Sequence, residues 1–203
     1  MLLGDSREQA LSRLAKLEAK LKSSPTLRIF DPLGLISPCI VTTKILLQKL
    51  WLCKLDWDDP IPPEICQEWL SFCSDLQFLK DIIIPRQVLE KLENNTGFDL
   101  IGFCDASQHA YASCVYARSI DAHKNVKIEL FCSKTKVPPL KVLTIPRLEL
   151  MSAVLLAELM SKVSKLLTVN HEVSYWSDSK IVLAWLNKNP KHLQTFVVAK
   201  IRF

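Results

Sequence analysis

Three carboxylates stand where acid oxygens could do chemistry together: Asp105, Glu149 and Asp178. Asp105 ends an apolar run that includes Gly102-Phe-Cys-Asp105, Glu149 lies at the head of a long leucine-rich segment opened by Pro146, and Asp178 follows Val173-Ser-Tyr-Trp176 by two residues. Carboxylates brought together from separate elements are hard oxygen ligands. A hydrolase using two magnesium ions needs several of them around metals about 4 Å apart, because the ions must serve both the attacking and the leaving oxygen of a phosphodiester. Each residue also has a plainer role. Asp105-Ala-Ser107 makes a good strand-ending turn, Glu149 suits the positive end of its helix, and Ser177-Asp178-Ser179 suits a helix N-cap. Spacing alone leaves both readings open.

The elements that must position these residues are visible in the periodicity. After Gly97, the segments Asp99–Asp105, Tyr111–Arg118 and Val126–Ser133 alternate or run apolar with β-forming residues, which predicts three successive strands, expected to be antiparallel. Pro146 sits at a favoured first helical position, and Leu148, Leu155, Leu156, Leu159, Val163 and Leu166 mark a long helix to about Leu167. Val173–Trp176 is expected as a fourth strand and Ile181–Leu186 as a further helix. This order predicts an α/β layered domain over 98–203. The carboxylates converge in it if the first and fourth strands are neighbours and the long helix packs across them.

Residues 1–97 have a different character. Leu11, Leu14, Leu17 and Leu21 describe an amphipathic helix over Gln9–Lys22, ended by Ser23-Ser-Pro25. Phe30-Asp-Pro-Leu-Gly-Leu-Ile-Ser-Pro38 predicts a fixed turn leading into a helix over Val41–Lys54. Beyond the punctuation of Asp56-Trp-Asp-Asp-Pro60, Pro62 and Pro63, a second amphipathic helix is expected from Glu64 to about Lys80, and Ile82–Ile84 as a short extended piece. This half is a small, mainly helical module without a constellation that demands chemistry.

Composition narrows the choice of function. At 203 residues and 49% hydrophobic content, the chain can bury a genuine core. Its net charge of +5 only mildly favours a polyanionic partner. Seven scattered cysteines, none in a Cys-x-x-Cys pair, signal neither zinc nor a disulfide framework, so reduced and mostly buried thiols in an intracellular protein are expected. Four glycines, none in a phosphate-cradling pattern, exclude nucleotide loops and hence a nucleotide cofactor of that kind. No apolar run predicts a membrane span, and the N-terminus lacks a signal pattern.

Secondary candidates are weaker. His109 is expected in an exposed turn. Lys134, Lys136 and Lys141, with Lys180, Lys188 and Lys191, could meet phosphates by charge, or form a solvated basic surface. Trp176, Trp185 and Phe196 could stack on bases, but their spacing points to core packing, as it does for Trp51 and Trp69.

The segments Phe30-Asp-Pro-Leu-Gly-Leu-Ile-Ser-Pro38, Leu55-Asp-Trp-Asp-Asp-Pro60, Gly102-Phe-Cys-Asp-Ala-Ser107, Ile145-Pro-Arg-Leu-Glu-Leu150 and Trp176-Ser-Asp-Ser179 resemble, in order, those of Pao/BEL retrotransposon polyproteins. The first two resemble the link after a reverse transcriptase palm, the last three a ribonuclease H core. The resemblance implies a ribonuclease H-like mixed sheet with packed helices over 98–203, preceded by a thumb- or connection-like segment over 1–97. It implies Asp105, Glu149 and Asp178 as catalytic, magnesium-binding residues and an RNA/DNA hybrid as substrate. Ser107, Lys134, Lys136, Ser179 and Lys180 become weak candidates for nucleic-acid contact. The remainder of a polyprotein is the implied protein partner.

Departures from the family pattern set the alternatives. Ribonucleases H of this type use a fourth acidic residue in a later segment, and none is available before Phe203, so a C-terminally incomplete domain is expected, with activity in question. No Tyr-x-Asp-Asp-like polymerase motif occurs. A non-catalytic remnant or nucleic-acid-binding fragment is the competing reading. An aspartic peptidase is a poorer one, because neither Asp105-Ala-Ser107 nor Asp178-Ser-Lys180 offers the glycine that such tight catalytic loops require.

Overall fold

Alternation along Phe98–Ala106 decides the architecture of the second half. Phe98, Leu100, Gly102 and Cys104 are buried while the residues between them are half-buried or exposed, so this strand, β1, has one covered face and one open face. The computed structural model describes residues 30–56, 59–84, 98–120, 123–167 and 170–201. The helix expected over Gln9–Lys22 lies outside them. β1 pairs antiparallel with β2 (Tyr111–Ile120), which pairs antiparallel with β3 (Val126–Lys136). β4 (His171–Trp176) pairs with β1 in parallel, giving a mixed sheet of order β3-β2-β1-β4. The chain is α/β, and its first and fourth strands are neighbours.

A parallel partner needs a long crossover, and α3 (Ile145–Leu166), the third helix after α1 (Ser37–Leu52) and α2 (Pro63–Asp75), supplies it. Its buried stripe of Leu148, Ser152, Leu155, Leu156, Met160 and Val163 follows helical spacing and covers one face of the sheet. Leu156, Met160 and Val163 share a core with Phe98, Leu100, Val115, Ala117 and Cys132. Gly102 sits directly under the helix, where an added Cβ would stand 2.6 Å from a Leu156 methyl and 2.8 Å from the Met160 methyl. α3 begins at Ile145 and not at Pro146, with Thr144 as N-cap. Glu149 therefore falls in the second turn of the helix and not the first.

Two short helices follow β4: α4 (Lys180–Leu186) and α5 (Thr195–Ile201). Leu150 of α3, Val182 and Val197 form a buried cluster with Trp185 and Phe196 packed against it. Arg147 lies over the Phe196 ring at 5.0 Å and donates to Gln194 Oε1 at 3.3 Å, which ties α5 to the head of α3. Trp185 and Phe196 thus serve packing, as expected. Trp176 does not.

The chain divides into two compact units: 1–30 with 46–83, and 31–45 with 84–203. Asp31–Ile45 therefore belongs with the sheet, although its sequence suggested grouping with the helical module. In this segment the Asp31 carboxylate accepts from the backbone N–H groups of Leu35 and Ile36, at 2.8 and 2.9 Å, and so nucleates α1 (Ser37–Leu52). Ser133 of β3 donates its N–H to the Leu33 carbonyl at 2.8 Å, and its hydroxyl to the Gly34 carbonyl. Gly34 has φ +73°, and a Cβ there would overlap the Ser133 carbonyl, so only glycine permits this approach.

In the other unit, Leu46 and Leu50 of α1 bury against Ile65 of α2 (Pro63–Asp75), with Leu55, Ile61, Trp69 and Phe72 packed around them. Lys49 pairs with Glu68 at 2.6 Å. Trp51 is exposed, contrary to its expected core role, and a 3-10 turn over Leu76–Asp81 ends the expected helix five residues early. Ile82–Ile84 has no regular structure.

Candidate active site

The register of β1 and β4 places the first pair of carboxylates. Phe103 and Trp176 are the last paired residues of these parallel strands. Asp105 lies two residues further along β1 and Asp178 two residues beyond the end of β4, so the two aspartates stand at the same end of neighbouring parallel strands. Both are exposed, and both line one groove. The Asp105 carboxylate also accepts from the N–H of Ala106 at 2.6 Å.

Glu149 arrives from the covered side. Its Oε2 accepts a 2.6 Å hydrogen bond from the hydroxyl of Ser179, the residue after Asp178. That hydroxyl in turn accepts from the Val182 N–H at 3.2 Å as the N-cap of α4. Ser179 is only 6% exposed. One buried side chain thus caps a helix and holds the third carboxylate at the end of β4.

Cys104 sits between these groups. Its thiol is buried and donates toward the Trp176 carbonyl at 3.6 Å. Burial pushes its pKa up, Ser152 and Ser177 hydroxyls pull against that, and the charges of Asp105 and Asp178 push it higher still.

The structure brings Asp105 and Asp178 together and links Glu149 to the same strand end through Ser179. It does not close the three into one cluster: among the described residues, no group of three or more His, Cys, Asp or Glu side chains is arranged to hold a metal ion. The donors fit magnesium in kind, being oxygens only. The remaining candidates scatter. Ser107 accepts from His109 and Ala110 N–H groups within the β1–β2 turn, where His109 is exposed as expected. Lys136 and Lys180 are exposed, Lys134 is half-buried, and Ser179 is committed to Glu149 and Val182. All seven cysteines are free, but Cys53 and Cys66 are exposed and Cys39, Cys73 and Cys114 half-buried, so "mostly buried" holds only for Cys104 and Cys132.

Sequence reasoning missed three features. The cap expected from Ser177-Asp178-Ser179 is Ser179, but the bond of its hydroxyl to Glu149 had no signal. The exposure of Trp176 had none, because period 2 tells which face a residue occupies and not whether that face is covered. The docking of the Leu33-Gly34 turn on β3 is a long-range contact with no local signature.

A mixed sheet with strand order β3-β2-β1-β4, a crossover helix on one face and acids at the ends of β1 and β4 defines a ribonuclease H-like domain. The sequence model of the Pao retrotransposon-like RNaseH-like domain matches residues 22–179, well over half of the chain, and the chain belongs to that family. No curated protein and no solved structure matches it. Among the described residues, no helix is long and apolar enough to cross a membrane.

Proposed function

We propose that the sheet end formed by Asp105, Asp178 and Glu149 hydrolyses the RNA strand of an RNA/DNA hybrid with magnesium. The observation that carries this reading is that Asp105, near the end of β1, and Asp178, just beyond the end of the adjacent parallel β4, line one groove. Asp105 and Asp178 offer exposed oxygens there, and Glu149, held by Ser179, would be the third residue to hold the metal. Two magnesium ions, when bound, would supply an activated water and charge neutralisation at the leaving 3′ oxygen. The residues' own task is to present hard oxygens on rigid strand and helix ends, so that little reorganisation is needed at reaction. Choice of RNA over DNA would rest on the 2′-hydroxyl and the shape of the hybrid. The helical unit would face the remainder of the polyprotein.

The test is cleavage of a labelled RNA/DNA hybrid with magnesium present or chelated, by the chain and by its Asp105→Asn form. Metal-dependent cutting that disappears in the variant is the expected result. No cutting by a folded sample would overturn the proposal.

A second reading has its own support. Glu149 is engaged by Ser179, and the described residues hold no three-carboxylate group. A domain in this state would bind hybrid without hydrolysing it. Retention of hybrid by both forms, without cleavage by either, would select it.

A further inference from the structure

The open face of the sheet carries a groove of about 880 Å³ that the hydrolytic reading does not use in full. Its floor is ordered by the strand register into two rows. The outer row runs Asp105, Ala112 and Thr135 across β1, β2 and β3, with Asp178 just beyond the end of β4; the inner row runs Trp176, Phe103, Cys114 and Ser133 across β4, β1, β2 and β3. Phe103 and Trp176 lie side by side, 43% and 57% exposed, and Tyr116 meets Phe103 edge-on with ring centres 6.0 Å apart. The facing wall is aliphatic, from Leu35, Pro38 and Val41. That wall is anchored, because the Leu33 and Gly34 carbonyls accept from Ser133.

Exposed aromatic rings on a sheet are costly to leave in water, and a slot with π faces on one side and aliphatic groups on the other suits a flat ring. Polar features point to a nitrogenous one on a charged chain. Thr135 lines the groove, and its buried Oγ1 has no hydrogen-bond partner among the described residues. Beside it the Lys44 ammonium donates to the Thr135 carbonyl at 3.0 Å, close enough to Lys134 to feel its charge. Cations thus stand at the β3 end of the row, roughly 10 Å, or two strand spacings, from the Asp105 carboxylate. A phosphodiester chain running between cations and metal-binding acids would lay its bases across the rings.

We propose that this groove is a stacking slot for an unpaired nucleobase of the RNA strand, held between Phe103 and Trp176 on one side and the Leu35–Val41 wall on the other. It rests on the reading of Asp105 and Asp178 as a site acting on nucleic acid. The slot makes the preferred substrate a hybrid with a single-stranded RNA extension, and its selectivity among bases is low because every base has a π face.

The experiment compares binding of a blunt RNA/DNA hybrid with the same hybrid bearing an RNA extension that contains 2-aminopurine, in chelator to prevent cutting. The extended hybrid is expected to bind about tenfold tighter, within the roughly 1–3 kcal/mol that stacking of one base contributes, with the 2-aminopurine fluorescence quenched. In Trp176→Ala and in Phe103→Leu, each checked for a cooperative melt, the affinity ratio falls towards one and the quench is relieved. Equal affinity for both hybrids without quenching, or a quench that survives both variants, overturns the slot while leaving the hydrolase reading in place. Failure to bind either hybrid overturns the slot, while cleavage in magnesium decides the hydrolase reading separately. A self-associated chain that the extended hybrid does not dissociate would show that a second copy fills the groove, and would also overturn it.

Discussion

The two faces of the same four strands are built for different purposes. On the side of α3, Leu100, Val115, Leu156 and Met160 are sealed from water, and the contact is so close that a Cβ at position 102 would displace the Leu156 and Met160 methyls. On the other side, Phe103, Trp176, Asp105 and Asp178 are exposed around a groove. Residues one step apart on β1, Cys104 and Asp105, belong to opposite regimes. Because side chains alternate with a period of two, one strand supplies the core with its even positions and the site with its odd ones. Stability and chemistry are therefore separable by substitution, although they share a backbone.

The largest expected effect falls on the covered face. Leu156→Ala should lower stability by roughly 2–5 kcal/mol, through lost burial and an unfilled cavity beneath the helix. Denaturant midpoints check this, and cleavage per folded molecule should not change. Asp105→Asn should do the reverse. It should leave the midpoint within about 0.5 kcal/mol, as for other exposed positions, while cutting falls by more than about 100-fold, since even the outer partners of a metal site are worth roughly 10–100-fold. If Leu156→Ala impaired turnover per folded molecule as badly as Asp105→Asn does, the separation of the faces would be refuted.

How much of this was legible in the sequence follows from the range of each signal. The four strands, α3 and α4 announce themselves through local periodicity, and their observed bounds depart from the expected ones by a few residues at the ends. The acids at 105, 149 and 178 stand out as a set only through the family resemblance, and spacing alone leaves the plain turn and cap readings open. Strand order, the parallel register of β4 and the placement of Asp31–Ile45 with the sheet depend on contacts between distant residues, such as Gly34 with Ser133, that no window of sequence contains. Trp176 shows the same limit. Its spacing fixes its face, but nothing local can say whether anything packs over that face, which the structure leaves open.

Ser179 bridges the two regimes and should show an intermediate effect. Ser179→Ala removes the cap of α4, worth about 1 kcal/mol, and frees the Glu149 carboxylate that its hydroxyl holds. A purely structural role predicts a lower melting temperature and nothing else. A positioning role predicts in addition that the magnesium concentration needed for half-maximal thermal stabilisation changes by roughly tenfold, the lower end for an outer partner of a metal site. Ser179→Thr keeps the hydroxyl and should restore both readouts. A magnesium response identical in all three proteins would leave Ser179 as a cap alone.

The smallest effect is a pH slope that reports on the strands themselves. Burial pushes the thiols of Cys104, Cys114 and Cys132 up, the last to about 11 from 9.0. Between those values an unfolded chain has lost the Cys132 proton while the folded chain keeps it. The folded state then binds more protons, so its stability is complete below pH 9 and declines as pH rises towards 11. Chemical denaturation at pH 8 and pH 10 under reducing conditions should show this decline, and Cys132→Ala should make it shallower whatever it does to the absolute stability. Asp105→Asn should also soften the slope, more weakly, because the Asp105 charge is one of the causes holding the Cys104 thiol protonated. A slope unchanged in Cys132→Ala would mean that the thiols on the covered face are not protected from ionisation, and that the face is less sealed than its packing implies.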